Sequence, residues 1–320
     1  MPRVYAQAQP TAAEPDDLDA FWARHLAAAR KLAEPASFVP YRPEVYGELA
    51  VDDVTFSGAQ GAPIRAWFLR PRAARGPLPC LVTFIGYGGG RGVPAEHTTY
   101  AAAGYAELVM DTRGQGGDWS PGGTGDPGAG SSAAEHPGVL TRGILSPDDY
   151  YYVRLFVDAV RAVETAAEHP DVDATRLAVG GASQGGALAL AAAALAADRV
   201  RLCHADVPFL CDIEGSLEEV EEAPYTELIH YLAQHVDVVD RALATVAHVD
   251  CALLARRIRA RTLMSVGLKD PVCPPSGIYA AYNAIAAPKR LAVHRYADHS
   301  VPSVHNEVRL ADFAQEMGAP

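Results

Sequence analysis

Residues 176–198, RLAVGGASQGGALALAAAALAAD, join an apolar run to a helical pattern through a cluster of glycines around one serine. The run RLAV predicts a strand, and GALALAAAALAA predicts a buried helix. Ser183 therefore falls at the turn between them, where glycines avoid clashes with the adjoining strand and helix. The turn is either a plain connection or one strained to expose a nucleophile.

Short apolar or β-branched runs recur along the chain, each ending in glycine or a polar turn and separated by helical stretches. This alternation predicts an α/β fold with a mostly parallel, twisted sheet and helices on both faces. Polar residues gather at the carboxyl ends of the strands, where open α/β sheets place their sites. The runs are LPCLVTFIGYGGG, YAELVMDTRGQGG, RLAVGGASQGG, VRLCHADVP, RTLMSVGLKD and KRLAVHRYADH.

Four segments lie outside this alternation, and we interpret all 320 residues as a single domain that includes them. Residues 1–40 form an N-terminal helical extension, whose helix over 17–32 is capped by aspartates and packs outside the sheet. Residues 44–72 form antiparallel strands, and the glycine-rich stretch 114–130 is a long loop. Residues from about 212 to 260 form a helical insertion over the site, before the strand that carries the acid.

The composition restricts the possible partners. The 27 basic and 39 acidic residues give a net charge of −12, which repels nucleic acid and anionic membranes. The N-terminal sequence lacks the basic start and apolar core of a signal peptide, so we expect a cytoplasmic protein.

Five scattered cysteines without a C-x-x-C pair predict buried free thiols rather than disulfides or a metal site. They are Cys80, Cys203, Cys211, Cys251 and Cys273.

Gly181 to Gly185 match the G-x-S-x-G pattern in a strand-turn-helix context, which favours a nucleophilic serine. A serine hydroxyl needs an imidazole to take its proton and an acid to orient that imidazole. In α/β-hydrolases the acid and then the histidine follow the serine along the chain. Asp270, after LMSVGLKD, and His299, after LAVHRYAD, fit that order at the ends of two strands.

Other acids and histidines fit less well. Glu307 follows the histidine in the chain, and Asp250 falls within the helical insertion. His294 lies inside the last predicted strand, whereas His305, six residues beyond His299, stays open as an alternative base.

The negative charge that develops on the ester oxygen needs two hydrogen-bond donors. The backbone N–H of Gln184, which follows the nucleophile, is one expected donor. The loop FIGYGGG can turn a second amide inward, and we assign it to Tyr87. The Tyr87 ring is alternatively an aromatic wall of the pocket, and both roles are compatible.

Several motifs together resemble the seventh carbohydrate esterase family, the acetyl xylan esterases and cephalosporin-C deacetylases. The resemblance covers nearly the whole chain, with two departures: Ile85-Gly86-Tyr87-Gly88 stands where the family has His-Gly-Tyr-Asn, and Ser300 stands where it has Glu. The motifs are GYGGG, RGQGG at 113–117, TRGILSPDDYYYVRLFVDAVRAVE, GGASQGGALALAAAAL and MSVGLKDPVCPPSGIYAAYNAI.

The resemblance implies an α/β-hydrolase fold with neither metal nor organic cofactor, assembled as a hexamer. It also implies a role for each matching residue. Ser183, Asp270 and His299 take the triad roles, Tyr87 and Gln184 supply the oxyanion amides, and Arg113, Gln115, Gly181 and Gly185 support the site.

The serine, aspartate and histidine predict a serine carboxylesterase that acts through an acyl-enzyme. The resemblance implies that it removes acetyl groups from small O-acetylated substrates, with acetylated xylo-oligosaccharides and cephalosporin-C-like acetates as the expected ones. The same residues are compatible with other acyl or thioester specificity, with a peptidase, or with acyl transfer to an acceptor other than water. A catalytically silent scaffold is the alternative outside enzymes.

Overall fold

The computed structural model describes residues 5–127 and 138–320, and within them one sheet has nine strands. The strand order is β1-β2-β3-β5-β4-β6-β7-β8-β9. The pairs β1–β2, β2–β3 and β3–β5 are antiparallel, and the pairs from β5–β4 to β8–β9 are parallel. The mostly parallel sheet is therefore confirmed. The strands are β1 Ser37–Pro40, β2 Leu49–Ser57, β3 Pro63–Pro71, β4 Leu78–Phe84, β5 Ala106–Met110, β6 Val172–Ala182, β7 Val200–Asp206, β8 Arg261–Gly267 and β9 Lys289–His294.

Helices cover both faces of this sheet. Alternate residues of a strand point to opposite faces. Accordingly, Val82 of β4 packs in the larger core cluster with Phe156 and Leu188, whereas its neighbour Leu81 packs in a second cluster with Phe313. The helices are α1 Leu18–Lys31, α2 Thr99–Ala102, α3 Tyr151–Glu168, α4 Gln184–Leu195, α5 Ile213–Glu219, α6 Tyr225–Gln234, α7 Val239–Ala247, α8 Cys251–Leu254, α9 Pro275–Ala284 and α10 Val304–Met317.

The predicted N-terminal helix is α1, and it packs against α3. Trp22 stacks on Phe156 with ring centroids 5.8 Å apart and donates its indole N–H to the His248 carbonyl at 3.0 Å. The predicted aspartate cap is wrong. Asp17 precedes the helix with ψ near 6° and makes no side-chain cap, since the capping geometry needs an extended backbone. Its carboxylate instead lies 3.2 Å from His248 Nε2.

The insertion predicted over about 212–260 contains α5 to α8, and one buried carboxylate joins its two ends. Asp250 accepts hydrogen bonds from the amides of Asp212 at 2.9 Å and Ile213 at 2.7 Å, and it caps α8 through the Ala252 amide. Burial raises the pKa of Asp250 to about 7. Asp250 therefore holds the insertion together through hydrogen bonds from backbone amides.

Two further predictions concern loops and cysteines. All five cysteines are buried free thiols, as expected. The glycine-rich loop is irregular over residues 114–127, and its residues 128–130 lie outside the described part. In the described ranges there is neither a helix suited to crossing a bilayer nor a cluster of side chains suited to a metal ion.

Candidate active site

Ser183 sits at a tight turn between β6 and α4. Its φ of +57° and ψ of −121° lie outside the regions that L residues usually adopt, so the turn is strained. The Ser183 N–H donates to the Asp206 carbonyl at 2.9 Å, and its own carbonyl accepts from the amides of Ala187 and Phe209. A Cβ on Gly185 would lie 2.3 Å from the Phe84 carbonyl oxygen, so only glycine fits. Of the two interpretations of this turn, a plain connection or a strained turn, the structure shows the strained one.

The structure brings Ser183, Asp270 and His299 into one hydrogen-bonded chain. His299 Nε2 lies 2.9 Å from Ser183 Oγ, and His299 Nδ1 lies 2.8 Å from Asp270 Oδ2. The other Asp270 oxygen accepts from the amides of Val272 at 2.9 Å and Cys273 at 2.8 Å. These amides fix the carboxylate, which in turn orients the imidazole toward the serine.

The two amides predicted to bind the oxyanion are both available. Gln184 is the first residue of α4, where the amides have no partner within the helix. Within residues 5–127 and 138–320, neither the Gln184 N–H nor the Tyr87 N–H donates to a protein acceptor. Tyr87 and Ser183 line the same cavity. Tyr87 is thus part of the pocket wall, and its backbone N–H is also free to donate.

Gln115 connects the Tyr87 loop to the nucleophile turn. Its Oε1 accepts from the Gly88 amide at 2.7 Å, and its Nε2 donates to Gln184 Oε1 at 2.9 Å and to the Tyr151 hydroxyl at 2.9 Å. Gln184 in turn donates to the carbonyl of Ile85, the first of the two departures from the family pattern. Gln115 therefore lies between the Tyr87 loop and Gln184, and its role as a support of the site stays a prediction.

Arg113, the other residue expected to support the site, lies in the protein interior between two carboxylates. Its guanidinium is fully buried and donates to both oxygens of Asp158, at 2.5 and 2.7 Å. Asp126 Oδ1 lies 3.1 Å from Arg113 Nη1, and the Arg113 carbonyl accepts from the Tyr151 hydroxyl at 2.6 Å. Burial raises the pKa of Asp158, and the neighbouring Arg113 partly offsets that increase.

We expect Asp158→Asn to lower the free energy of unfolding by about 3 to 5 kcal/mol, because it leaves a buried guanidinium partly unpaired. Urea denaturation measures the loss. Asp148→Asn is the matched control, since the Arg24–Asp148 pair is exposed and such pairs contribute about 0 to 1 kcal/mol. Equal losses in the two variants would contradict a structural role for the Arg113–Asp158 pair.

The competing residues lie elsewhere. His305, on α10, is buried with Nε2 2.8 Å from Asp206 Oδ1, and His294 packs edge-on against the His305 ring at 5.3 Å. Glu307 is exposed on the same helix. The structure thus places His299, and not His305, against the serine.

Sequence reasoning missed three residues of the site. Asp206 is the last residue of β7, and its backbone carbonyl accepts from the Ser183 amide. Its position at the end of a strand is the sequence signal by which it could have been identified. Trp119, 62% exposed, donates to the Tyr87 carbonyl at 2.7 Å. Glu227, on α6, accepts from the Tyr87 hydroxyl at 2.5 Å. The last two have no local sequence signal.

Ser183 and His299 open into a cavity of about 740 Å³. Its apolar walls come from several elements of the chain, including the insertion. Polar groups line it near α10 and the glycine-rich loop. The apolar residues include Phe84, Ile85, Val207, Pro224, Val272 and Val301, and the polar ones include Asp118, Asp206, Asn306 and Arg309.

Known proteins match this chain over nearly its whole length. Residues 5–317 match the acetyl xylan esterase (AXE1) family. Acetyl esterase Axe7A of Xylanibacter ruminicola is 30% identical over 94% of this chain and 67% of its own length. The acetyl xylan esterase from Paenibacillus sp. R4 superposes with a TM-score of 0.91 at 35% identity, covering 99% of this chain and 100% of its own. Acetyl xylan esterase 1 from Thermoanaerobacterium sp. JW/SL YS485 gives 0.89 at 31% identity over 98% of each chain.

These similarities and the serine-histidine-aspartate geometry agree. The protein is a serine carboxylic ester hydrolase of the α/β-hydrolase fold. It belongs to the acetyl xylan esterase (AXE1) family.

Proposed function

We propose that this esterase removes acetyl groups from alcohol oxygens of small O-acetylated carbohydrates and related acetates. Acetylated xylo-oligosaccharides and cephalosporin-C-like acetates are the proposed substrates. The observation that carries the proposal is the hydrogen-bonded chain from Asp270 through His299 to Ser183. The names of the relatives, acetyl esterase and acetyl xylan esterase, support the acetyl group as the acyl part.

In the first half-reaction, Ser183 Oγ attacks the acetyl carbonyl carbon while His299 Nε2 takes the hydroxyl proton. Asp270 stabilises the imidazolium through the 2.8 Å contact with Nδ1. The carbonyl oxygen becomes negatively charged and accepts from the amides of Tyr87 and Gln184. The carbon–oxygen bond to the sugar then breaks, and His299 returns the proton to the departing alcohol.

In the second half-reaction, water takes the place of the alcohol. His299 Nε2 removes one proton from the water as its oxygen attacks the acetyl carbon of the acyl-serine. The same two amides stabilise the second oxyanion. The bond to Ser183 Oγ breaks, the serine regains its proton from His299, and acetate leaves.

We expect the rate of hydrolysis of 4-nitrophenyl esters to fall steeply beyond acetyl and propionyl. Initial rates for acetyl to octanoyl esters measure this preference. Acetate release from acetylated xylo-oligosaccharides and from cephalosporin C then identifies the alcohol part. A flat profile or a preference for long chains would contradict a deacetylase, and turnover of thioesters or peptides alone would favour the alternative specificities.

We also propose that the enzyme is a cytoplasmic homo-oligomer, a hexamer by family resemblance. The net charge of −12 supports a protein that binds neither nucleic acid nor an anionic membrane. Light scattering coupled to size-exclusion chromatography measures the mass. A monomer across micromolar concentrations would contradict the oligomer.

A further inference from the structure

Glu227 joins the insertion to the loop that carries the oxyanion amide. Its Oε1 accepts from the Tyr87 hydroxyl at 2.5 Å, and its Oε2 accepts from the Leu140 amide at 3.0 Å. The Tyr87 hydroxyl oxygen accepts in turn from the Val139 amide at 3.0 Å. One carboxylate on α6 thus connects three segments that are far apart in the chain.

The backbone on either side of the Tyr87 amide is fixed by other groups. The Gly86 carbonyl accepts from the Gly89 amide at 3.2 Å, and the Tyr87 carbonyl accepts from Trp119 Nε1 at 2.7 Å. Gly88 N–H donates to Gln115 Oε1 at 2.7 Å. These bonds all act on the main chain, so the direction of the Tyr87 side chain depends on its hydroxyl contacts.

The contact between Glu227 and Tyr87 is tightly packed. Gly138 adopts a φ of +121°, and a Cβ there would lie 2.2 Å from the Glu227 carboxyl carbon. Burial, followed by the hydrogen bond to Glu227, raises the pKa of Tyr87, so the phenol stays protonated and donates. A side chain at residue 138 would therefore collide with the carboxylate, and glycine lets Glu227 reach Tyr87.

This contact ends at the wall of the catalytic cavity. Tyr87 lines the cavity directly, and Pro224, three residues before Glu227, lines it from the insertion. A shift of the Tyr87 side chain therefore changes the width of the cavity.

We propose that Glu227 is a positioning residue which, through the Tyr87 side chain, sets the width of the acyl pocket. This inference rests on the proposed function of Ser183 and Tyr87. It makes the insertion a part of the acyl pocket, with an effect on acyl-chain selectivity.

The test compares Glu227→Gln, Tyr87→Phe and the double variant with wild type, using 4-nitrophenyl acetate and butyrate. In Glu227→Gln an amide nitrogen replaces one carboxylate oxygen, so either the Tyr87 hydroxyl or the Leu140 amide loses its acceptor. We expect the ratio of acetate to butyrate kcat/KM to fall about 10-fold, the scale of selectivity that an apolar pocket gives for a methylene group. The kcat for the acetate should change less, since the main-chain bonds that hold the Tyr87 amide stay in place.

Because both single variants break the same contact, the double variant should be little worse than either. Glu222→Gln is the matched control: it removes the same charge from an exposed position in the same insertion. Titration with a fluorophosphonate counts the active sites, so kcat is expressed per competent serine.

A merely structural role for Glu227 predicts fewer competent sites and a lower melting temperature, with kcat per site and the acetate-to-butyrate ratio as in wild type. That result would overturn the inference. Additive losses in the double variant would overturn it as well. An inactive, unlabelled wild type would refute the proposed function itself, whereas an active wild type with unchanged Glu227→Gln kinetics refutes only the positioning role.

Discussion

Ser183→Ala is expected to lower kcat for 4-nitrophenyl acetate by at least about 10⁴-fold, the scale seen when a serine hydrolase loses its nucleophile. The acyl-enzyme cannot form without the hydroxyl oxygen, which lies 2.9 Å from His299 Nε2. Alanine adds no new strain to the backbone at residue 183, because the positive φ there is strained for serine as well. Any residual rate should come from binding and the oxyanion amides alone.

The measurement combines initial rates with labelling by a fluorophosphonate probe. Wild type should bind one probe per chain, and Ser183→Ala should bind none. Ser303→Ala is the matched control, since this exposed serine precedes α10 and its side chain forms no capping hydrogen bond. Retained turnover in Ser183→Ala would disprove the nucleophile assignment, and failure of folded wild type to react with the probe would favour a silent scaffold.

Much of this architecture could be predicted because the decisive patterns are local. The strand, the glycine-flanked Ser183 and the buried helix are consecutive in the chain, and their local patterns are consistent with one another. The acid and the histidine follow two later strands, whose parallel packing brings their carboxyl ends together. Order along the chain therefore predicted a spatial contact between Ser183, Asp270 and His299.

The rest depends on partners that are distant in sequence. Glu227 and Tyr87 are separated by 140 positions, and no periodicity relates them. Asp17 stands where a helix cap is common, but its backbone conformation and the nearby His248 give its carboxylate another partner. The edge strand β1 has only four residues and ends in proline, so it is too short to show an alternating pattern.

The two histidines that the sequence left open should behave differently when replaced. We expect His299→Ala to lower kcat by about 10³-fold or more, because Ser183 then has no base to take its proton. We expect His305→Asn to keep kcat within about 10-fold, since its Nε2 contacts Asp206 and the ring is buried away from the serine hydroxyl. Initial rates with 4-nitrophenyl acetate measure both.

The cost of His305→Asn should appear instead in stability. Asp206 is a buried carboxylate that also contacts Arg309 at 2.9 Å and accepts from Ser265 at 2.7 Å. Losing one of its partners should lower the free energy of unfolding by about 1 to 3 kcal/mol, the usual cost of a buried polar group left without its partner. Urea denaturation measures this loss, and fluorophosphonate labelling of the variant should remain complete. A 10³-fold loss in His305→Asn with normal folding, beside an active His299→Ala, would move the general base to His305 and break the assignment made from the 2.9 Å contact.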